Sequence, residues 1–149
     1  MFAVIRIRGS AGMRTDVEST LKMLRLDAPN NCTLVPDNES YRGMLQAAKD
    51  AVTWGEVEEK VFVEMLKKRL RLPRNKRVDE KILKEMKIDS YEKLAEEIMQ
   101  GKSLKDMGFQ NNFRLTPPSK GFKSVKLTYP KGDLGYRGKE INKLLERMM

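Results

Sequence analysis

The first 58 residues alternate between strand-like and helix-like hydrophobic periods, and that alternation constrains the fold more than any other feature of the chain. FAVIRIR (2–8) ends with Ala3, Ile5 and Ile7 on one side of a strand and Arg6 and Arg8 on the other. GSAG (9–12) is a turn. TDVESTLKMLRL (15–26) then runs at helical period with Val17, Leu21 and Leu24 as its apolar stripe, and Thr15 with Glu18 predicts a capping box. NCTLV (31–35) predicts a second strand, PDN (36–38) a turn, ESYRGMLQAA (39–48) a short helix, and AVTWGEV (51–57) a third strand. Gly43 inside that helix costs about 1 kcal/mol against Ala, so it predicts a close backbone approach. The pattern is a β-α-β-α-β core: an α+β fold with a small three-stranded β-sheet and two helices on one face. With Ile5 and Ile7 turned toward the helices, Arg6 and Arg8 are expected on the open face.

The remainder predicts a basic, mainly helical C-terminal extension, so the chain divides into 1–58 and 59–149. In VFVEMLKKRLRL (61–72), Val61, Phe62, Met65 and Leu66 share one arc, with Glu64, Lys67, Lys68 and Arg71 opposite. Pro73 stops this helix. DEKILKEMK (79–87) and SYEKLAEEIMQG (90–101) follow, the second capped by Ser90 and ended by Gly101. Residues 108–135 read as a long loop containing a β-like piece, SVKLTY (124–129), and KEINKLLERMM (139–149) as a final helix. Met23, Met65, Met86, Met99 and Met148 fall at helical core spacing, so packing is expected of them rather than ligand binding.

Several kinds of chemistry are excluded. There is no histidine, which removes Ser-His-Asp and Cys-His catalysis and histidine metal sites. The one cysteine, Cys32, has no disulfide partner within the chain and no histidine to activate it, so it reads as a small buried hydrophobe. The longest apolar run, MFAVI, is too short to span a bilayer, and with no export signal the expected compartment is the cytoplasm. Carboxylates are interleaved with lysines on helix faces, without an isolated acidic pair or cluster. GSAG lacks the further glycines of a dinucleotide loop and the GK[ST] of a phosphate loop, so a nucleotide-dependent enzyme has little support. The expectation is a chain with no catalytic residues, no metal, no cofactor, no membrane contact and no small-molecule substrate.

Charge carries the positive signal. The 149 residues hold 30 Lys and Arg against 21 Asp and Glu, net +9. Residues 1–58 are net −1 and residues 59–149 are net +10. So lopsided a distribution points to a polyanion. Two stretches contain no acid: KKRLRLPRNKR (67–77), with seven cations in eleven residues, and 107–132, where lysines and an arginine mix with Phe109, Phe113, Phe122 and Tyr129. Cations position a protein on phosphates, and aromatics can stack on unpaired bases. No recognition helix for a DNA groove stands out, so RNA fits better. The alternative is a protein–protein module using the sheet edge, with the basic extension as a non-specific nucleic-acid contact.

The ordered segments FAVIRIRG, LKMLRL, NNCTLVPDNESYRGML and AVTWGEV resemble the large-subunit ribosomal protein family called L-thirty. NNFRLTPPSKG and GDLGYRGKEINKLLERM resemble the C-terminal extension of its archaeal form and of the eukaryotic counterpart, L-seven. The basic arm that precedes the first strand in eukaryotic members has no counterpart here, which fits an archaeal type. The resemblance implies a structural protein of the large ribosomal subunit without catalytic activity, bound to ribosomal RNA beside neighbouring ribosomal proteins. It places Arg42 on the family's second-helix arginine, Arg114 and Lys120 on the extension's loop pattern, and Arg137 near the start of the last helix. Charge alone adds Arg6, Arg8, Arg14, Lys67, Lys68, Arg71, Arg74, Lys76, Arg77, Lys123 and Lys126 to the expected RNA contacts. Arg69 falls in the apolar arc of its helix and is expected to pair with a carboxylate at the core edge.

Overall fold

The computed structural model describes residues 1–86, 88 and 90–149, with Glu80 described by its backbone alone. In chain order the elements are β1 (Phe2–Arg6), α1 (Thr15–Met23), β2 (Asn31–Val35), α2 (Glu39–Ala47), β3 (Val52–Glu56), α3 (Glu59–Arg69), α4 (Glu80–Glu85), α5 (Tyr91–Met99), β4 (Asn112–Arg114), β5 (Gly135–Tyr136) and α6 (Ile141–Met148). Of the helix expected over 79–87, Lys87 lies outside the described residues.

The class is α+β, and the three expected strands form with β1 central and antiparallel to both β2 and β3. The sheet is nevertheless larger than the expected three strands. Among the described residues its order is β4-β2-β1-β3-β5, because the extension returns to pair β4 antiparallel with β2 and β5 parallel with β3. Open strand edges present unpaired N–H and C=O groups, and these short segments satisfy them. The edges of β2 and β3 are therefore occupied by the chain itself, and the outer edges left to a partner are only three and two residues long.

Both faces of the sheet are covered. Phe2 and Val4 pack with Leu21, Leu24, Leu26, Leu45, Val52 and Trp54 on the α1 and α2 side. Ala3, Ile5, Cys32 and Leu34 point the other way, into a core with Phe62, Met65, Leu66, Leu94 and Leu145 of the extension. Ile5 thus faces the extension rather than α1 and α2, which reverses the expected orientation of β1. The adjoining apolar residues of FAVI carry the reason, since a strand buried on both faces reads as a continuous apolar run.

Local features divide. Ser90 caps α5, its hydroxyl accepting the Lys93 N–H at 3.3 Å. The capping box at Thr15 does not form: α1 already includes Thr15, the capping position is Arg14, and no side chain caps it. Gly43 is exposed, and a Cβ there would meet nothing. The close approach is at Gly55, where a Cβ would collide with the Gly138 carbonyl oxygen. Beside it the Asn142 carboxamide accepts from the Glu58 N–H at 2.9 Å and donates to the Glu56 carbonyl at 3.1 Å, fastening α6 to the end of β3. Met65 and Met148 are core residues, but Met23 and Met99 are exposed, because they sit on the outer sides of α1 and α5. SVKLTY forms no strand beyond one bridge, Thr128 to Leu134, since the chain folds back on itself with the Gly132 N–H on the Thr128 carbonyl at 2.8 Å.

Candidate nucleic-acid interface

The most basic stretch of the sequence becomes a helix end followed by a tight hairpin. Lys67 and Lys68 occupy the last turn of α3 and are exposed. Past Leu70 the chain reverses: Arg71 bridges Arg77, and the Leu72 N–H donates to the Lys76 carbonyl at 2.9 Å. Pro73–Asn75 is a single 3-10 turn at the tip, with Arg74 at φ 64° and Asn75 at φ 63°. Arg74, Lys76 and Arg77 are exposed, and Arg71 is half-buried, donating to the Asn75 carbonyl at 3.2 Å. Lys68 pairs loosely with Glu64 at 3.5 Å, and both side chains are more than half exposed. Such a concentration of like charge repels itself, and a polyanion relieves it. Arg69 finds no carboxylate side chain and donates instead to the main-chain oxygen of Met149 at 2.8 Å.

Two candidate arginines are not available to a partner. Arg6 was expected on an open sheet face and is instead 2% exposed. Its guanidinium donates to the carbonyls of Arg8, Leu26 and Asp27 and to the Ser10 hydroxyl. A strand covered on both faces leaves a charged residue no option but to be fully hydrogen-bonded. Arg137 is 8% exposed and donates to the Thr53 hydroxyl, the Asp133 carbonyl and the Asp133 carboxylate, the last at 2.8 Å. The Tyr129 ring covers its guanidinium 5.4 Å away. Both arginines hold the sheet's surroundings together.

The other candidates from the first 58 residues are exposed. Arg8 donates to the Asp50 carbonyl at 3.2 Å, Arg14 pairs with Asp16 at 2.9 Å, and Arg42 pairs with Asp37 across both carboxylate oxygens. The hydrogen-bonded Arg42 guanidinium lowers the Asp37 carboxyl below its usual range, and Asp37 in turn raises Arg42. These pairs are solvated and exchangeable, so the arginines remain open to a stronger anion.

The loop after β4 is tied down by its backbone. Arg147 donates to the Ser119 and Gly121 carbonyls, and the Asp133 carboxylate accepts the Lys123 and Ser124 N–H groups. Arg114, Lys120, Lys123 and Lys126 are all exposed, with the Lys123 ammonium donating to the Pro130 carbonyl at 3.2 Å. Of the four aromatics in 107–132 only Tyr129 is exposed, at 39%, and its ring already lies over Arg137. Phe109 and Phe113 are 3% and 1% exposed, and Phe122 packs against the extension core. They anchor the loop rather than offer stacking surfaces. Arg25 was not singled out from sequence, yet it stands exposed beside Arg74. The only signal for it was a helix ending without the usual glycine.

A sheet covered on both faces, with exposed cations gathered on turns and helix ends, is the build of an α+β protein with a basic outer surface. The family model for ribosomal protein L30p/L7e matches residues 2–52. Over its whole length the chain is similar to proteins named large ribosomal subunit protein uL30. It is 47% identical to that of Methanosphaera stadtmanae, covering all of both chains. It is 44% identical to that of Nanoarchaeum equitans, covering 99% of this chain and 97% of the relative. It is also 44% identical to that of Archaeoglobus fulgidus, covering 99% of each. The chain belongs to the L30p/L7e family of ribosomal proteins, which are structural components and not enzymes.

Proposed function

We propose that this protein is a structural constituent of the large ribosomal subunit in the cytoplasm, held on ribosomal RNA by the exposed cations of its extension and its first turns, beside neighbouring ribosomal proteins. The observation that carries the RNA contact is the hairpin after α3. It gathers Arg71, Arg74, Lys76 and Arg77 within seven residues, directly after Lys67 and Lys68, with no acid among them. Arg114, Lys120, Lys123 and Lys126 extend the contact along the loop, and Arg8, Arg14 and Arg42 add to it from the first 58 residues. Arg6 and Arg137 are left out of this set, because their donors are spent inside the protein. The division at residue 58 is one of charge: the extension supplies the cations, while its strands and helices complete the same sheet.

The test is binding of the full chain to large-subunit ribosomal RNA against unrelated RNA of equal length, over a salt series. Log affinity should fall with log salt at a slope of several units, because each phosphate contact releases roughly 0.7–0.9 counterion. Replacing Arg74, Lys76 and Arg77 together by Ala should lower that slope by about 2. An unchanged slope removes the hairpin from the interface. Equal binding of both RNAs, without salt dependence, overturns the reading.

A further inference from the structure

A notch of about 360 Å³ lies between the end of α1 and the tip of the 71–77 hairpin. That is at the low end of the roughly 300–1,000 Å³ of ligand sites. Arg25, Asp27, Arg74, Gln110, Asn111 and Asn112 line it. The hairpin and the amide run are joined through the Gln110 N–H, which donates to the Arg71 carbonyl at 2.9 Å. Thr33 fixes the run from the other side, its hydroxyl donating to the Asn111 carbonyl at 3.1 Å. Pro73 and Phe109 complete the lining, and the side chains of the six polar residues make no hydrogen bond or ion pair among the described residues.

The two arginines stand where the backbone disfavours them. Helix α1 ends in a Schellman motif: the Leu26 N–H donates to Leu21 and the Arg25 N–H to Lys22, at 2.9 and 3.0 Å. The left-handed residue of that motif is normally glycine. Here it is Arg25, at φ 59°. Arg74 takes the same left-handed conformation, at φ 64° and ψ 23°. A side chain other than glycine is strained in this region. Two separate turns bear that strain, and both arginines are exposed and line the same notch.

We infer that this notch binds one unpaired nucleotide of RNA, with its phosphate on Arg25 and Arg74 and its base edge on the amides and Asp27. The inference rests on the RNA-binding reading and specifies it. Guanidinium groups match phosphate oxygens in a fork, and amides offer a donor and an acceptor together to a base edge. A carboxylate accepts from an exocyclic amino group and repels phosphate, so Asp27 sets which end of the nucleotide faces it. The major groove of A-form RNA is too deep and narrow for side chains and its shallow minor groove is read mainly by shape, whereas base edges are read on unstacked nucleotides, so the ligand is an extruded base.

The test measures full-chain variants on large-subunit ribosomal RNA and on unrelated RNA. Arg25→Gly and Arg74→Gly should each weaken ribosomal RNA binding by roughly fivefold while the melting temperature stays level or rises, since glycine suits both backbones. Gln110→Ala and Asp27→Asn should lower the preference for ribosomal over unrelated RNA by about fivefold and leave the salt slope unchanged. Unaltered preference in both of these variants, with the parent still selective, overturns the notch assignment and leaves the RNA reading standing. A parent without selectivity overturns both.

Discussion

Arg137 and Arg74 carry the same cation in opposite settings. Arg137 follows directly on β5, 8% exposed, its donors spent on Thr53 and Asp133. Arg74 sits at a hairpin tip, exposed and without a partner among the described residues. Arg6 belongs with the first and most of the 67–77 stretch with the second. The contrast teaches that a formal charge of +9 overstates what the surface offers. An arginine closed over by backbone carbonyls works as a multi-armed hydrogen-bond donor, and only one left open can meet a phosphate.

Breaking the buried side of this contrast should cost the most. Arg137→Met leaves Asp133 as a buried carboxylate without its cation and should destabilise the fold by about 3–5 kcal/mol in urea unfolding. Arg6→Met strands the Leu26 and Asp27 carbonyls and should cost about 2–4 kcal/mol by the same measurement. A smaller effect comes from Cys32, whose burial raises its thiol to about 12. Its stabilising contribution is complete below the unfolded value near 9 and is lost as pH rises toward 12. Between pH 8 and 10 the native protein should lose about 1 kcal/mol that the Cys32→Ala variant does not lose. The smallest effects lie on the open side. Arg14→Ala removes a solvated pair with Asp16, and its stability should stay within about 0.5 kcal/mol of the parent.

Much of the first 58 residues was legible because each element has its own period. NCTLV is a strand over the range expected, and Val17, Leu21 and Leu24 do turn inward. β4 and β5 were not legible, since three and two residues are too few to show a period, and pairing with a distant edge decides them. The exposed cations of the hairpin and loop could be chosen from charge. Arg6 and Arg137 could not be told from them, because burial depends on what packs from elsewhere in the chain. Phe109 and Phe113 are the converse case: aromatics beside lysines suggested a stacking surface, yet they point into the core. Arg25 escaped notice because nothing in its neighbourhood is unusual except the residue type at a helix end.

The return of the extension to both edges of the sheet also sets an order of events during synthesis. Strands β1, β2 and β3 leave the translating ribosome first, with two bare edges and one uncovered apolar face. Helices α3 and α5 begin to cover that face soon after, but Asn112–Arg114 and Gly135–Tyr136, which close the edges, and Ile141–Met148, which completes the cover, follow some sixty to ninety residues later. At about 5–20 residues per second, that is an interval of seconds during which the nascent sheet is an aggregation hazard. A chain stalled before residue 112 should therefore be sticky, and its dependence on chaperones should fall once the last helix has emerged.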